Sequence, residues 1–149
     1  MKRRGLLLTA GLAAAALALT SGLAMAGGAA KVDTATSAEY GTYLVNKRGM
    51  SLYLFEPDDQ GRSTCYDACA QAWPPVTTEG QPKATGNTDP SLLGAFKRQD
   101  GSRQVTYNGW PLYTFVKDTA PGDTAGQDVR GFGGEWYLVA PEGEHVEDH

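Results

Sequence analysis

Two cysteines four residues apart, Cys65 and Cys69, are the residues of this chain best suited to chemistry. On a helix that spacing puts both sulfurs on one face. It fits a structural disulfide, a redox pair or a soft-metal site. An ideal helix aims two such Cβ atoms poorly at one another. Closing so short a loop contributes at most about 2 kcal/mol, and a strained short-loop disulfide is the more easily reduced. In an exported protein the structural bond is the favoured use, with redox or metal handling by the pair as the alternative. Haem attachment is disfavoured, because Ala70 stands where that motif needs His.

Other chemistries find less material. His145 and His149 lie in a charged tail, so a zinc enzyme with three fixed ligands is not expected. Asp58-Asp59-Gln60-Gly61 and the series Asp118, Asp123, Asp128 put carboxylates in loops, where calcium is a minority reading against ordinary turn chemistry. No Gly-x-Ser-x-Gly elbow is present, and no His lies in the expected core to activate a nucleophile. Glu56, Asp58 and Asp118 could supply a carboxylate pair, as acids in any acidic protein could. No catalytic residue and no cofactor is therefore assigned, and the metal content is left unknown. The aromatic residues read first as core. Trp73, Trp110 and Trp136 are also candidates for an aromatic surface that stacks on a ligand.

The elements that position these residues come from an internal repeat. Gly49, Leu52, Tyr53, Phe55 and Asp58 recur without a gap as Gly109, Leu112, Tyr113, Phe115 and Asp118, and Val45 recurs as Val105. Both copies read as strand, with Leu52 and Leu54 on one face and Tyr53 and Phe55 on the other. Thr42–Val45 is expected to pair back across the turn Asn46-Lys47-Arg48-Gly49. Asp100-Gly101 and Asn108-Gly109 are hairpin turns delimiting strands at Ala95–Gln99, Arg103–Tyr107 and Trp110–Val116, and a last strand is expected at Glu135–Ala140. Thr77–Pro90 and Thr119–Gly131 read as loops. One short helix is expected over Cys65–Ala72, capped by Ser63 or Thr64 and ended by Pro74-Pro75. The fold class is mostly β: a two-repeat antiparallel domain of about six strands with one short helix.

The whole chain has 149 residues, 13 Lys+Arg against 17 Asp+Glu, and a formal net charge of −4. That balance argues against a nucleic-acid partner. Met1-Lys2-Arg3-Arg4, the Leu- and Ala-rich run behind it and Ala24-Met25-Ala26 have the layout of a secretory signal peptide over residues 1–26. The general secretory route is favoured over the twin-arginine route. Cleavage removes three bases and no acid, and leaves no transmembrane segment. Residues 27–39 read as a flexible lead-in, 40–143 as one β-rich domain of two repeats at about 40–76 and 93–140, and 144–149 as a charged tail.

The motif Tyr53-Leu54-Phe55-Glu56-Pro57-Asp58 and its copy Tyr113-Thr114-Phe115-Val116-Lys117-Asp118 resemble a family of bacterial secreted or lipid-anchored repeat proteins of unknown function, described by a Tyr-x-aromatic-x-x-Asp motif. Trp73-Pro74-Pro75 after the cysteine pair, Gln104-Val105-Thr106-Tyr107-Asn108-Gly109 and Gly134-Glu135-Trp136-Tyr137 belong to the same resemblance, which spans Tyr40 to Gly143. Many members carry a lipobox cysteine, and this chain lacks one. The resemblance implies an envelope location and no reaction. The expectation is a monomeric exported module, periplasmic, cell-wall-associated or extracellular. It is non-catalytic and binds an envelope component or a small ligand.

Overall fold

The computed structural model describes residues 28–147. The expected signal peptide and His149 lie outside them. Nine short strands form three three-stranded sheets among the described residues. Strands β1 (Lys31–Ser37) and β2 (Gly41–Asn46) form a hairpin, and β4 (Lys83–Ala84) lies parallel to β1. Strands β5 (Leu93–Lys97), β6 (Arg103–Tyr107) and β7 (Trp110–Pro111) form a meander. In the third sheet β9 (Gly134–Leu138) lies between β3 (Tyr53–Phe55) and β8 (Val129–Gly131).

Turn chemistry places these strands. Asn108 and Gly109 both adopt positive φ, 50° and 82°, as the two-residue turn between β6 and β7 requires. The expected Asn46–Gly49 turn closes through Gly49 N–H donating to the Asn46 carbonyl at 2.9 Å. Side chains alternate as the motif predicts. Leu52 and Leu54 join Val32, Leu44, Val105 and Leu112 in one buried cluster, while Tyr53 and Phe55 face a second, aromatic one.

Several boundaries differ from the sequence reading. The segment read as a lead-in supplies β1, because its own alternation buries Val32 fully and pairs the strand along β2. Helix α1 is Ala68–Ala72 and leaves Cys65 outside. Asp67, at φ 54°, turns the chain just before it. Neither Ser63 nor Thr64 caps it, since both side chains bond elsewhere. The strand expected over Trp110–Val116 is regular only at β7, and beyond Pro111 its pairing passes to other segments. The loop 77–90 contains β4. The tail does not start free: Val146 is buried and donates its N–H to the Leu138 carbonyl at 2.8 Å.

The two repeats exchange strands. Repeat one's β3 pairs with repeat two's β9, aligning Phe55 with Trp136. Conversely Val76 N–H donates to the Leu112 carbonyl and Thr114 N–H to the Pro74 carbonyl, both at 2.9 Å, so the segment after Trp73 pairs with the second motif. The motif strands meet where Tyr53 and Tyr113 exchange backbone hydrogen bonds of 2.8 and 3.0 Å. Reciprocal contacts of this kind are what two units related by a two-fold rotation make.

Candidate functional site

The spacing of the repeated motif has a local cause. Asp58 N–H donates to the Phe55 carbonyl at 2.9 Å and Asp118 N–H to the Phe115 carbonyl at 3.1 Å, so each strand ends in the same tight turn. The turn directs each carboxylate inward, and each meets the tyrosine of the other repeat. Tyr53 donates its hydroxyl to Asp118 Oδ2 at 2.6 Å, and Tyr113 donates to Asp58 Oδ2 at 2.5 Å. The second oxygens are also bound. Thr64 N–H and hydroxyl donate to Asp58 Oδ1 at 2.9 and 2.8 Å, and Ala125 N–H donates to Asp118 Oδ1 at 2.8 Å.

Burial governs the proton equilibria here. It pushes both tyrosines far above the ordinary phenol range, assisted by the carboxylate beside each. It also raises Asp58 and Asp118, against the hydrogen bonds from Tyr113 and Tyr53 that favour the charged forms. The tyrosines are therefore held as neutral donors and the aspartates as acceptors.

Around these pairs the aromatic rings form a four-membered stack in the order Phe55, Trp136, Trp73, Phe115. Successive centroids are 4.0, 3.9 and 3.9 Å apart, and the two indoles are within 2° of parallel. Tyr53 stands edge-on to Trp73 at 5.4 Å and Tyr113 edge-on to Trp136 at 5.1 Å. Each tryptophan stacks on the phenylalanine of the other repeat. Trp73 and Trp136, candidates for an aromatic surface, are thus core residues, and Trp110 is half-buried.

Cys65 and Cys69 are joined in a disulfide with Cα atoms 5.2 Å apart, and both are buried against the aromatic cluster. The awkward pairing expected on a helix does not arise, because Cys65 precedes α1. Beside it lies Arg98, which sequence reasoning missed. It is 3 % exposed and makes no ion pair among the described residues. Its guanidinium donates to the Cys65 carbonyl and Gln104 Oε1, both at 2.7 Å, and to Ser63 Oγ at 3.1 Å, and it lies 4.2 Å from the Tyr66 ring centroid. Since the Tyr113 proton goes to Asp58, Ser63 must donate to the Tyr113 hydroxyl at 2.6 Å. A line of hydrogen bonds therefore runs from Arg98 through Ser63 and Tyr113 to Asp58, and the Arg98 charge favours ionised Asp58.

Outside the core, a cavity of about 400 Å³ is lined by Lys31, Lys47, Arg48, Val76 and Glu79 among others. None of its three cations pairs with a carboxylate among the described residues. No group of three or more His, Cys, Asp or Glu that could hold a metal ion occurs there either. Of the loop acids considered for calcium, the carboxylates of Asp58, Asp118 and Asp123 are engaged within the chain: Asp123 Oδ2, for example, accepts from Thr119 and Ala120 N–H at 2.8 and 3.0 Å. No helix of the described residues is long and apolar enough to cross a membrane.

Among known proteins, no curated sequence and no solved structure matches this chain. A family described as a secreted repeat of unknown function does match, in two copies over residues 34–77 and 94–140. Each match contains one copy of the repeated motif, and more than half of the sequence is covered: the chain belongs to this family of secreted repeats.

Proposed function

We propose that the protein is an exported, non-catalytic binding or structural module of the cell envelope or the extracellular space. The observation that carries this reading is that the repeated polar residues bind one another: Tyr53 holds Asp118 and Tyr113 holds Asp58, all four buried. A catalytic acid, base or nucleophile must reach a substrate, and these four are turned toward the centre of the fold. The bonded, buried Cys65–Cys69 pair fits a structural part in the same core.

The face that favours binding is the groove bearing Lys31, Lys47 and Arg48. Three cations that form no ion pair among the described residues, on an acidic chain, attract an anionic ligand, with an affinity that weakens as salt rises. Cosedimentation of the purified protein with isolated envelope material, at low and high salt, tests this. Binding that weakens with salt and is reduced in Lys47→Glu with Arg48→Glu is expected. Turnover of a defined substrate, abolished by changing one named residue, would overturn the non-catalytic reading. Thiol titration with metal analysis addresses the redox or metal-handling alternative, for which two free thiols with stoichiometric copper or zinc is the supporting result.

A further inference from the structure

We propose that the aromatic core is an electron relay, in which the stacked Trp73 and Trp136 pass a one-electron oxidising equivalent to Tyr53 or Tyr113 as the phenolic proton moves to Asp118 or Asp58. Tyrosine gives up an electron readily only when its proton leaves too, because the phenol radical cation is a strong acid. A base within hydrogen-bond reach makes the two transfers concurrent. Both tyrosines have one: Asp118 Oδ2 at 2.6 Å from Tyr53 and Asp58 Oδ2 at 2.5 Å from Tyr113. Between them the indoles lie face to face at 3.9 Å, and each tyrosine ring is edge-on to the nearer indole. The order Tyr53, Trp73, Trp136, Tyr113 is thus a continuous line of oxidisable rings with a proton acceptor at each end.

The line has an approach from the surface. Phe115 stacks on Trp73 at 3.9 Å and also lines a cavity of about 210 Å³ with Met50, Arg48 and Val116. Val116 is 53 % exposed. The oxidant is an external one-electron acceptor, such as an oxidised metal complex or an oxygen-centred radical, that docks there. One electron goes to it through the rings. The tyrosine O–H bond breaks, and the proton forms a new O–H bond on the carboxylate. The products are a neutral tyrosyl radical, a neutral carboxylic acid and the oxidant reduced by one electron. An external one-electron reductant, a thiol or an enediol, reverses the step and returns the proton to the phenol.

The test is photo-oxidation of the purified protein by a ruthenium polypyridyl complex with a sacrificial electron acceptor, followed by transient absorption and freeze-quench electron paramagnetic resonance. A neutral tyrosyl signal is expected in the native protein. Tyr53→Phe with Tyr113→Phe should remove it and leave tryptophanyl radical. Asp58→Asn with Asp118→Asn keeps a hydrogen-bond acceptor but not a base, and should slow tyrosyl formation roughly tenfold or more. An unchanged signal and rate in these variants would overturn the proposal. Should the variants not fold, peptide mapping of the photo-oxidised native protein decides. Oxidation products on buried Tyr53, Tyr113, Trp73 and Trp136 support the relay, and products confined to the half-buried Tyr66 and Tyr137 refute it.

Discussion

At the scale of single residues, the burial of Asp58 and Asp118, opposed in part by their tyrosine partners, shapes how the fold responds to pH. Burial raises both carboxyls in the folded state, so between the unfolded carboxylate value of about 4 and the raised folded values the native chain binds more protons than the unfolded chain. Stability from these two groups is fully present below that window and is lost as pH rises through it. The exposed Asp89 and Asp100 and the half-buried Asp123, held low by hydrogen bonds from Ser91, Ser102 and Thr119, act in the opposite sense. The total profile mixes both, so the informative quantity is a difference. Thermal melts at a series of pH values should show the native protein losing its advantage over Asp58→Asn as pH rises above about 4; a parallel pair of profiles would contradict this. Tyr113→Phe leaves Asp58 Oδ2 without its tyrosine donor and removes the phenolic oxygen that accepts from Ser63, and should cost about 1–3 kcal/mol, read by denaturant unfolding. The equivalence of Tyr53 with Tyr113 and of Asp58 with Asp118 was legible in the sequence. Their crossed pairing was not, because a constant offset identifies matching positions and not which positions touch. Alternation gives no signal for Arg98: it lies just past the end of β5, and the β5 side chain packed on the apolar cluster, Leu93, is of the opposite parity. Nothing in its type marks it for burial, since Arg is almost never fully buried unless paired.

At the scale of elements, close approach explains what periodicity could not. Gly126 looks like an ordinary loop glycine, yet a Cβ there would sit 2.7 Å from the Tyr53 ring and 2.9 Å from Trp73. Its N–H also donates to the Tyr53 hydroxyl at 3.1 Å. Gly126→Ala should therefore displace the Tyr53–Trp73 edge contact and destabilise the fold by about 1–3 kcal/mol. Gly131→Ala, where a Cβ meets nothing within 4 Å, serves as the near-neutral control. Denaturant midpoints of the two variants check the contrast. The helix start differs from the sequence reading for a related reason: Cys65, Ser63 and Thr64 suit a first turn by type, but Arg98 and Tyr113, from distant parts of the chain, and the nearby Asp58 bind their polar groups. Long-range hydrogen bonds outweigh local helix preference, as they do for any short helix. The disulfide closes a small loop, so Cys65→Ala with Cys69→Ala should lower stability by no more than about 2 kcal/mol and leave the strand content intact. Far-ultraviolet circular dichroism with a melting curve would show it.

At the scale of the whole molecule, mostly-β architecture and two repeats were readable from alternation and turn residues, whereas the exchange of strands between repeats was not. Period-two patterns say which face a residue takes and leave the neighbouring strand open. The exchange decides how the chain can fold. Repeat one alone would carry Phe55 without Trp136, Tyr53 without Asp118 and β3 without β9. Repeat two alone would carry Phe115 without Trp73, Tyr113 without Asp58 and its motif strand without the segment around Pro75. Each half would thus expose half of a stacked core and bury or solvate an unpaired carboxylate, and a fragment of that size has little other apolar surface to cover. A chain divided in the exposed stretch around Asp89 and Pro90 keeps β4 with β1 in one piece and the whole meander in the other. Neither piece, 28–89 or 90–147, should show the near-ultraviolet signature of fixed tryptophans or a cooperative melt by itself. Mixed in equal amounts, the two should regain both, because all the contacts that define the aromatic stack run between them. A cooperative melt from either piece alone would mean that the repeats are independent units, and that the crossed tyrosine–aspartate pairs join two finished folds instead of completing one.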